Sequence, residues 1–281
     1  MKSILITGGT GTFGQAFVDG LLDLGEYERI CIFSRGEHSQ AQMRAEFDND
    51  ERLRWFIGGV RDAARLRRAI DGCEVVVHAA ALKRIEVGEY CPDELVKTNI
   101  GGALNVIDAA MSAGVRKVVA LSTDKACAPV NAYGASKLLS EKLFLSANNM
   151  RASNGPIYAV TRYGNIAGSN GSVIPRWRDI LRSGASEVPV TDPEATRFWM
   201  HIGEAVNLVL DTIRDMRGGE LAIPTLPAYR LADLAEAMGA RMKVIGMGEH
   251  EKRHESMRDG ETSEHARRMS VLEIREALAY V

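Results

Sequence analysis

The chain has 281 residues, a formal net charge of −2, 46% hydrophobic and 26% charged residues. That length supplies a buried core for one large domain or two coupled ones. The near-neutral charge offers no footprint for nucleic acid or an anionic membrane, and no apolar run approaches the ~20 residues that span a bilayer.

The N-terminal stretch MKSILITGG reads as a first strand and not as a signal peptide. Short apolar runs follow at regular spacing: SILIT (3–7), RICIFS (29–34), LRWFIG (53–58), EVVVHAA (74–80), KVVALS (117–122) and IYAVTRY (157–163). Runs apolar on both faces and bounded by Gly, Asp or Ser predict buried parallel strands. Between them the patterning predicts helices over 12–24, 38–48, 62–70, 93–113 and 131–150. This alternation predicts an α/β fold, a Rossmann-type doubly wound parallel sheet with right-handed crossovers. Beyond residue 164 the rhythm changes. GNIAGSNGSVIP reads as a loop, PRWRDILRSG and RLADLAEAMG as short helices, 203–216 as a helix and ELAIP as a strand. The charged run 248–268 reads as a solvated loop or tail. The expected organisation is a dinucleotide-binding Rossmann domain over 1–164 that carries the catalytic residues. Residues 165–281 are expected to be mostly a small C-terminal substrate-binding cap, with some segments returning to the core. Cys31, Cys73, Cys91 and Cys127 are scattered without a CxxC pair. They predict free thiols in a reducing cytoplasm and no metal centre.

ITGGTGTFG follows the first strand and opens the first helix, with Gly8, Gly11 and Gly14 spaced GxxGxxG. The first glycine permits a tight turn, the second lets backbone approach a pyrophosphate, and the third allows close helix–strand packing. The helix N-terminus offers free N–H groups to phosphate, so Thr10, Thr12 and Phe13 join the glycines as candidate cofactor contacts. The second strand ends in Ser34 and Arg35, with no carboxylate before Glu37. A hydroxyl and a guanidinium suit a ribose 2′-phosphate, which favours NADP over NAD; the alternative is that Arg35 is a surface residue. Asp62 is placed near the adenine.

STDKACAPVNAYGASK (122–137) carries the chemistry. Tyr133 and Lys137 are spaced i, i+4 and share a helix face. A nearby ammonium favours phenolate, and a phenolate can remove a hydroxyl proton while hydride leaves the same carbon. Ser122 and Thr123 end the fifth strand just before them.

TGxxGxxG, HAAA at 78–81 and YxxxK together resemble the extended short-chain dehydrogenase/reductase family. STDKA followed by NAYGASK is similar to its C5-inverting UDP-N-acetylglucosamine 4,6-dehydratases, as are FSRGEHSQAQMR, HAAALKR, KTNIGGALNVIDAA, RYGNIAGSNGSVIP and VTDPEATRFW. The resemblance implies a cytoplasmic NADP-dependent hydro-lyase that acts on a UDP-sugar, foremost UDP-GlcNAc, and assembles as a homo-oligomer. Tyr133, with Lys137 and Thr123, would oxidise C4. Lys125 would take the C5 proton as a neutral amine, its pKa falling towards ~7–8. Asp124 would hold a proton and deliver it to the departing 6-OH. Ala79 and Ala80 would line the cofactor site, and Lys83 would reach both cofactor and sugar nucleotide. Asn99 would support Lys137 through its backbone or a bridging water. Asn165 would face the sugar, Arg197 the diphosphate and Thr191 the nucleotide. Three features depart from the family pattern, one being that the chain stops sooner than typical relatives. Gly59 stands where relatives commonly carry an aspartate. GMGEHEKRHES keeps Glu251, Lys252 and Glu255 of a segment resembling RPGEKxHE but lacks its arginine and proline. An epimerase on the same scaffold, or a catalytically inactive dinucleotide-binding sensor, remains the alternative.

Overall fold

The computed structural model describes residues 2–281. Its elements run β1 (Ser3–Thr7), α1 (Thr12–Leu24), β2 (Arg29–Ser34), α2 (Glu37–Glu46), β3 (Leu53–Ile57), α3 (Ala63–Ile70), β4 (Val75–His78), α4 (Ile85–Tyr90) and α5 (Pro92–Leu95). A π-helical turn (Val96–Ile100) leads into α6 (Gly101–Ser112), then β5 (Lys117–Leu121), a 3₁₀ turn (Asp124–Ala126), α7 (Ala132–Met150) and β6 (Ile157–Thr161). The remainder is α8 (Val173–Arg182), β7 (Glu187–Val190), β8 (Thr196–Phe198), α9 (Ile202–Asp215), β9 (Leu221–Ala222), β10 (Ala228–Arg230), α10 (Leu231–Ala237), β11 (Arg241–Val244), β12 (Ser256–Arg258), β13 (Glu261–Thr262) and α11 (Val271–Leu278).

The main sheet has seven strands in the order β3-β2-β1-β4-β5-β6-β9. Every pairing in it is parallel, as the doubly apolar strands predict. All of β1 is buried. Ile4 and Ile6 point into one core layer with Phe17, Leu21 and Val209. Leu5 points into the other with Val76, Val106 and Phe144. The strand order reverses at β1, with β2 and β3 on one side and β4 onwards on the other, so the loops leaving the carboxyl ends of β1 and β4 diverge and open a crevice. A third cluster around Trp177, Trp199, Leu234 and Ile274 forms the core beneath α8, α10 and α11.

The structure departs from the sequence expectations in places that position the site. The helix expected over 93–113 is interrupted by the π-helical turn, which carries Asn99. ELAIP supplies β9, whose Leu221 and Ala222 pair with Val160 and Thr161 at the sheet edge. The charged run 248–268 is not simply a solvated tail. It contains the β12–β13 hairpin, and Glu255, Met257 and Ser263 are buried. The charges that made it read as solvent-exposed belong partly to buried ion pairs. Helices α4 and α11 and the two-stranded sheets β7–β11, β8–β10 and β12–β13 were not expected. Their strands of two to four residues are too short to show alternation.

Candidate active site

The glycine loop is shaped by close contacts. Gly8 has φ +70°, and a Cβ there would lie 2.9 Å from the Ala80 Cα. A Cβ at Gly14 would run into the Gly9 carbonyl. Gly11 caps α1 without a side-chain bond, leaving the first-turn N–H groups free. The Thr7 hydroxyl ties the ends of β1 and β4 together, bonding His78 Nδ1 at 2.8 Å and accepting from the Ala80 N–H at 3.2 Å. His78 is fully buried, and burial with the nearby Lys137 charge pushes it down to about 3. It is therefore a neutral clamp that fixes the wall made by Ala79 and Ala80.

At the end of β2 the Ser34 hydroxyl accepts from Gln40 Nε2 at 3.0 Å, which orients it. Arg35 is exposed beside it. A Cβ at Gly59 would sit 3.3 Å from the Arg35 Cγ and Cδ, so the bare glycine leaves room for the arginine stem. Asp62 caps α3, accepting from the Arg65 N–H at 2.9 Å. A narrow glycine turn, free helix N–H groups and an arginine at the second strand end fit a dinucleotide with its pyrophosphate over Gly11.

The reacting groups gather where β5 ends against the start of α7. Asn131 caps α7 by accepting from the Gly134 N–H at 2.7 Å. A Cβ at Gly134 would collide with the Lys125 carbonyl, so this glycine lets Tyr133 and Lys125 come together. Lys137 is buried and donates to the Leu121 carbonyl at 2.6 Å; burial lowers it to about 8, with Glu141 opposing. Tyr133 does not follow the expected lowering. Burial pushes its phenol up to about 12, and the Lys125 charge only partly offsets that.

Lys125 also reverses its expectation. Its Nζ lies 3.2 Å from Asp124 Oδ1, 3.0 Å from Glu255 Oε1 and 3.3 Å from Asn165 Oδ1. Burial works against the charge, but Asp124 and Glu255 outweigh it and hold the ammonium above the usual lysine range. The Arg197 charge acts in the opposite sense to these two carboxylates and does not overcome them. Asp124 has no exposed surface. Thr123 donates to its Oδ1 at 2.9 Å, while its Oδ2 is buried without a partner. Burial raises the Asp124 carboxyl, Lys125 opposes this and Glu255 adds to it.

The Asn99 side chain is fully engaged within the protein. Its amide accepts from the Leu82 N–H at 2.8 Å and donates to the Leu82 carbonyl and the Ser136 hydroxyl, each at 2.9 Å. It thus braces the loop carrying Lys83 against α7. Burial lowers Lys83 from its ordinary value, with Arg84 adding to the effect.

One cavity of ≈ 1150 Å³ brings nearly all of these groups together. Gly8, Thr10, Gly11, Thr12, Phe13, Gly14, Ser34, Arg35, Asp62, Ala79 and Ala80 line its cofactor end. Lys83, Thr123, Lys125, Tyr133, Lys137, Asn165, Thr191 and Arg197 line the remainder. Asp124 and Asn99 stand behind the wall. Arg176 and Trp177 of α8, Ile245 and Glu251 also line the cavity and were not singled out as site residues. The loop GNIAGSNGSVIP leading into α8 was the available signal for the first two. A side cavity of ≈ 150 Å³ shares Lys125, Asn165, Arg197 and Glu251 and adds Lys252 and Glu255.

The profile of a family described as polysaccharide biosynthesis protein matches residues 4–275. Over 258 residues the chain is 48% identical to a UDP-N-acetylglucosamine 4,6-dehydratase (inverting) of Campylobacter jejuni, covering 91% of this chain and 77% of the relative. A UDP-glucose 4-epimerase of Rickettsia canadensis is 41% identical over 265 residues, covering 91% and 77%. The X-ray structure of Pen from Bacillus thuringiensis has a TM-score of 0.94 at 32% identity, covering 100% of this chain and 98% of that one. DesIV from Streptomyces venezuelae, a dTDP-glucose 4,6-dehydratase solved with NAD and TYD bound, has a TM-score of 0.80 at 22% identity, covering 100% and 98%. That last likeness is one of fold.

Proposed function

Since the chain belongs to the polysaccharide biosynthesis protein family, within the extended short-chain dehydrogenase/reductases, we propose that it is an inverting 4,6-dehydratase acting on UDP-GlcNAc. The observation that carries this reading is the position of Lys125. Its amine and the Tyr133 phenol line the same cavity, and a carboxyl stands directly behind them at Asp124. C4 oxidation needs only the tyrosine and Lys137. Removing water across C5 and C6 needs a further base and a proton source, and Lys125 and Asp124 provide both types of group at one point.

A bound nicotinamide dinucleotide supplies the hydride acceptor for C4 and the donor for C6. Tyr133, ionised once the oxidised dinucleotide is bound, would take the 4-OH proton, with Lys137 holding its surroundings positive, and that proton balances the one C5 regains from the opposite face when hydride returns to C6. The ketone at C4 acidifies the C5 proton, which Lys125 removes once it has passed a proton to a neighbouring carboxylate. Thr123 touches the cavity and donates to Asp124 Oδ1 at 2.9 Å; turned about its C–O bond, its hydroxyl would accept the Asp124 proton while passing its own to the leaving 6-OH. Arg197 faces the diphosphate, where a guanidinium fork suits paired phosphate oxygens. Ser34, Arg35 and the room left by Gly59 support NADP as the dinucleotide, through the 2′-phosphate.

The epimerase relative favours a second reading, in which the same C4 ketone forms and no water leaves. Mass spectrometry and NMR of UDP-GlcNAc incubated with the NADP-loaded protein together separate the two. Loss of one water supports the dehydratase. A sugar nucleotide of unchanged mass but altered configuration supports the epimerase, and unchanged substrate overturns both.

A further inference from the structure

Glu255 lies outside the residues to which the reaction was assigned. Its carboxylate is buried at 3% exposure, in a chain segment whose backbone is pinned at both ends. The Glu255 N–H donates to the Ser263 hydroxyl at 2.9 Å, and the Ser263 N–H donates to the Glu255 carbonyl at 2.8 Å. The Thr196 hydroxyl, 2.6 Å from that of Ser263, locks the segment to β8. So held, Glu255 Oε1 reaches Lys125 Nζ at 3.0 Å, while Asp124 Oδ1 lies 3.2 Å from the same nitrogen. Two carboxylates therefore flank one ammonium, and buried like charges sharing one counter-ion do not both ionise readily. The surroundings differ between them. Glu255 also meets Lys252 at 3.8 Å and feels the Arg197 charge from β8. Each carboxylate has one oxygen without a hydrogen-bond partner, Asp124 Oδ2 and Glu255 Oε2, but among the described residues Asp124 has Lys125 as its one cationic partner. Tyr133 on α7 faces the cluster as an uncharged phenol, and His254 turns away to Thr196 and Glu264.

Resting on the dehydratase reading for its catalytic consequence, we propose that Glu255 is a positioning residue that divides the labour of the pair: as the counter-ion of Lys125 it leaves Asp124 the protonated member. When Lys125 acts, one Nζ–H bond breaks and an Oε1–H bond forms on Glu255, with no change in the charge of the cluster. A neutral amine and a protonated Asp124 then coexist, as proton removal at C5 and proton delivery at C6 require. After Asp124 has given its proton to the leaving hydroxyl, the proton that Lys125 took from C5 passes across the 3.2 Å contact to restore it. Burial raises Asp124, and the Lys125 and Arg197 charges hold Glu255 below the usual range despite its burial. Both directions agree with this division.

Infrared spectroscopy of the purified full chain at neutral pH tests the assignment, through the carboxylic-acid carbonyl stretch above the amide I band. The wild type should show a buried acid band that Asp124→Asn removes. Glu255→Gln should remove it as well, because Asp124 then becomes the counter-ion of Lys125 and ionises. Glu255→Asp should keep it. An acid band unchanged in Glu255→Gln, or insensitive to Asp124→Asn, overturns the proposal. Should Glu255→Gln not fold, Lys125→Met decides. The acid band should grow as Glu255 gains a proton, and a band that does not grow overturns the pairing. In turnover, Glu255→Gln should lower kcat at least about tenfold with KM nearly unchanged, and Glu255→Asp should recover most of it. Wild-type protein that releases no dehydrated sugar nucleotide, yet shows these band changes, overturns the dehydratase reading and leaves the Glu255 assignment standing.

Discussion

The ammonium nitrogen of Lys137 lies 2.6 Å from the carbonyl oxygen of Leu121, and no carboxylate forms an ion pair with it among the described residues. A buried lysine held this way costs stability while it is charged. Its folded value is about 8 against an ordinary 10.5. Below both values the folded and unfolded chains each bind the proton; between them only the unfolded chain does. Stability therefore climbs with pH across that window, by about 3 kcal/mol from this group. Lys137→Met should abolish that climb in denaturant titrations and be more stable than the wild type at neutral pH. It should also cut turnover at least about 100-fold.

Arg35 is expected to read the ribose phosphate. Arg35→Ala should weaken NADP binding by about tenfold or more, the worth of a charged hydrogen bond, and leave NAD binding nearly unchanged. Fluorescence titration of both dinucleotides checks this. An equal loss for both cancels the assignment of NADP.

A buried ion pair anchors α7 from below the site. Arg162 Nε donates to Glu141 Oε1 at 2.9 Å, and Arg162 Nη1 donates to the Met257 carbonyl at 2.6 Å. Glu141→Leu strands a buried guanidinium and should cost about 3 kcal/mol in thermal or chemical unfolding. Because the same arginine holds the segment that carries Glu255, C4 oxidation and C5 exchange should both slow in this variant.

Local chemistry was legible wherever neighbours in sequence are neighbours in space. SILIT, RICIFS and KVVALS are buried strands because every second residue meets a core layer. Gly8 and Gly14 are spaced as they are because the loop meets Ala80 and Gly9. Tyr133 and Lys137 share a face through helical periodicity alone. What could not be read depends on distant pairing. The charge state of Lys125 depends not only on its neighbour Asp124 but on Glu255, 130 positions later on a segment whose charges suggested solvent. The π-helical turn at Asn99 follows from its bonds to Leu82 and Ser136, which no local propensity encodes. β7 and β11 pair in parallel across some fifty intervening residues, and Glu187 and Arg241 carry no pattern that announces the pairing.

The central claim is that Lys125 takes the proton from C5 of a C4-oxidised sugar. NMR of UDP-GlcNAc turned over in D₂O reads that step at one carbon. The wild type should give a 6-deoxy-4-keto product carrying deuterium at C5 with inverted configuration. Lys125→Ala, still binding NADP, should place none there. A product that keeps its original hydrogen at C5, or a Lys125→Ala variant that exchanges C5 at the wild-type rate, contradicts the account.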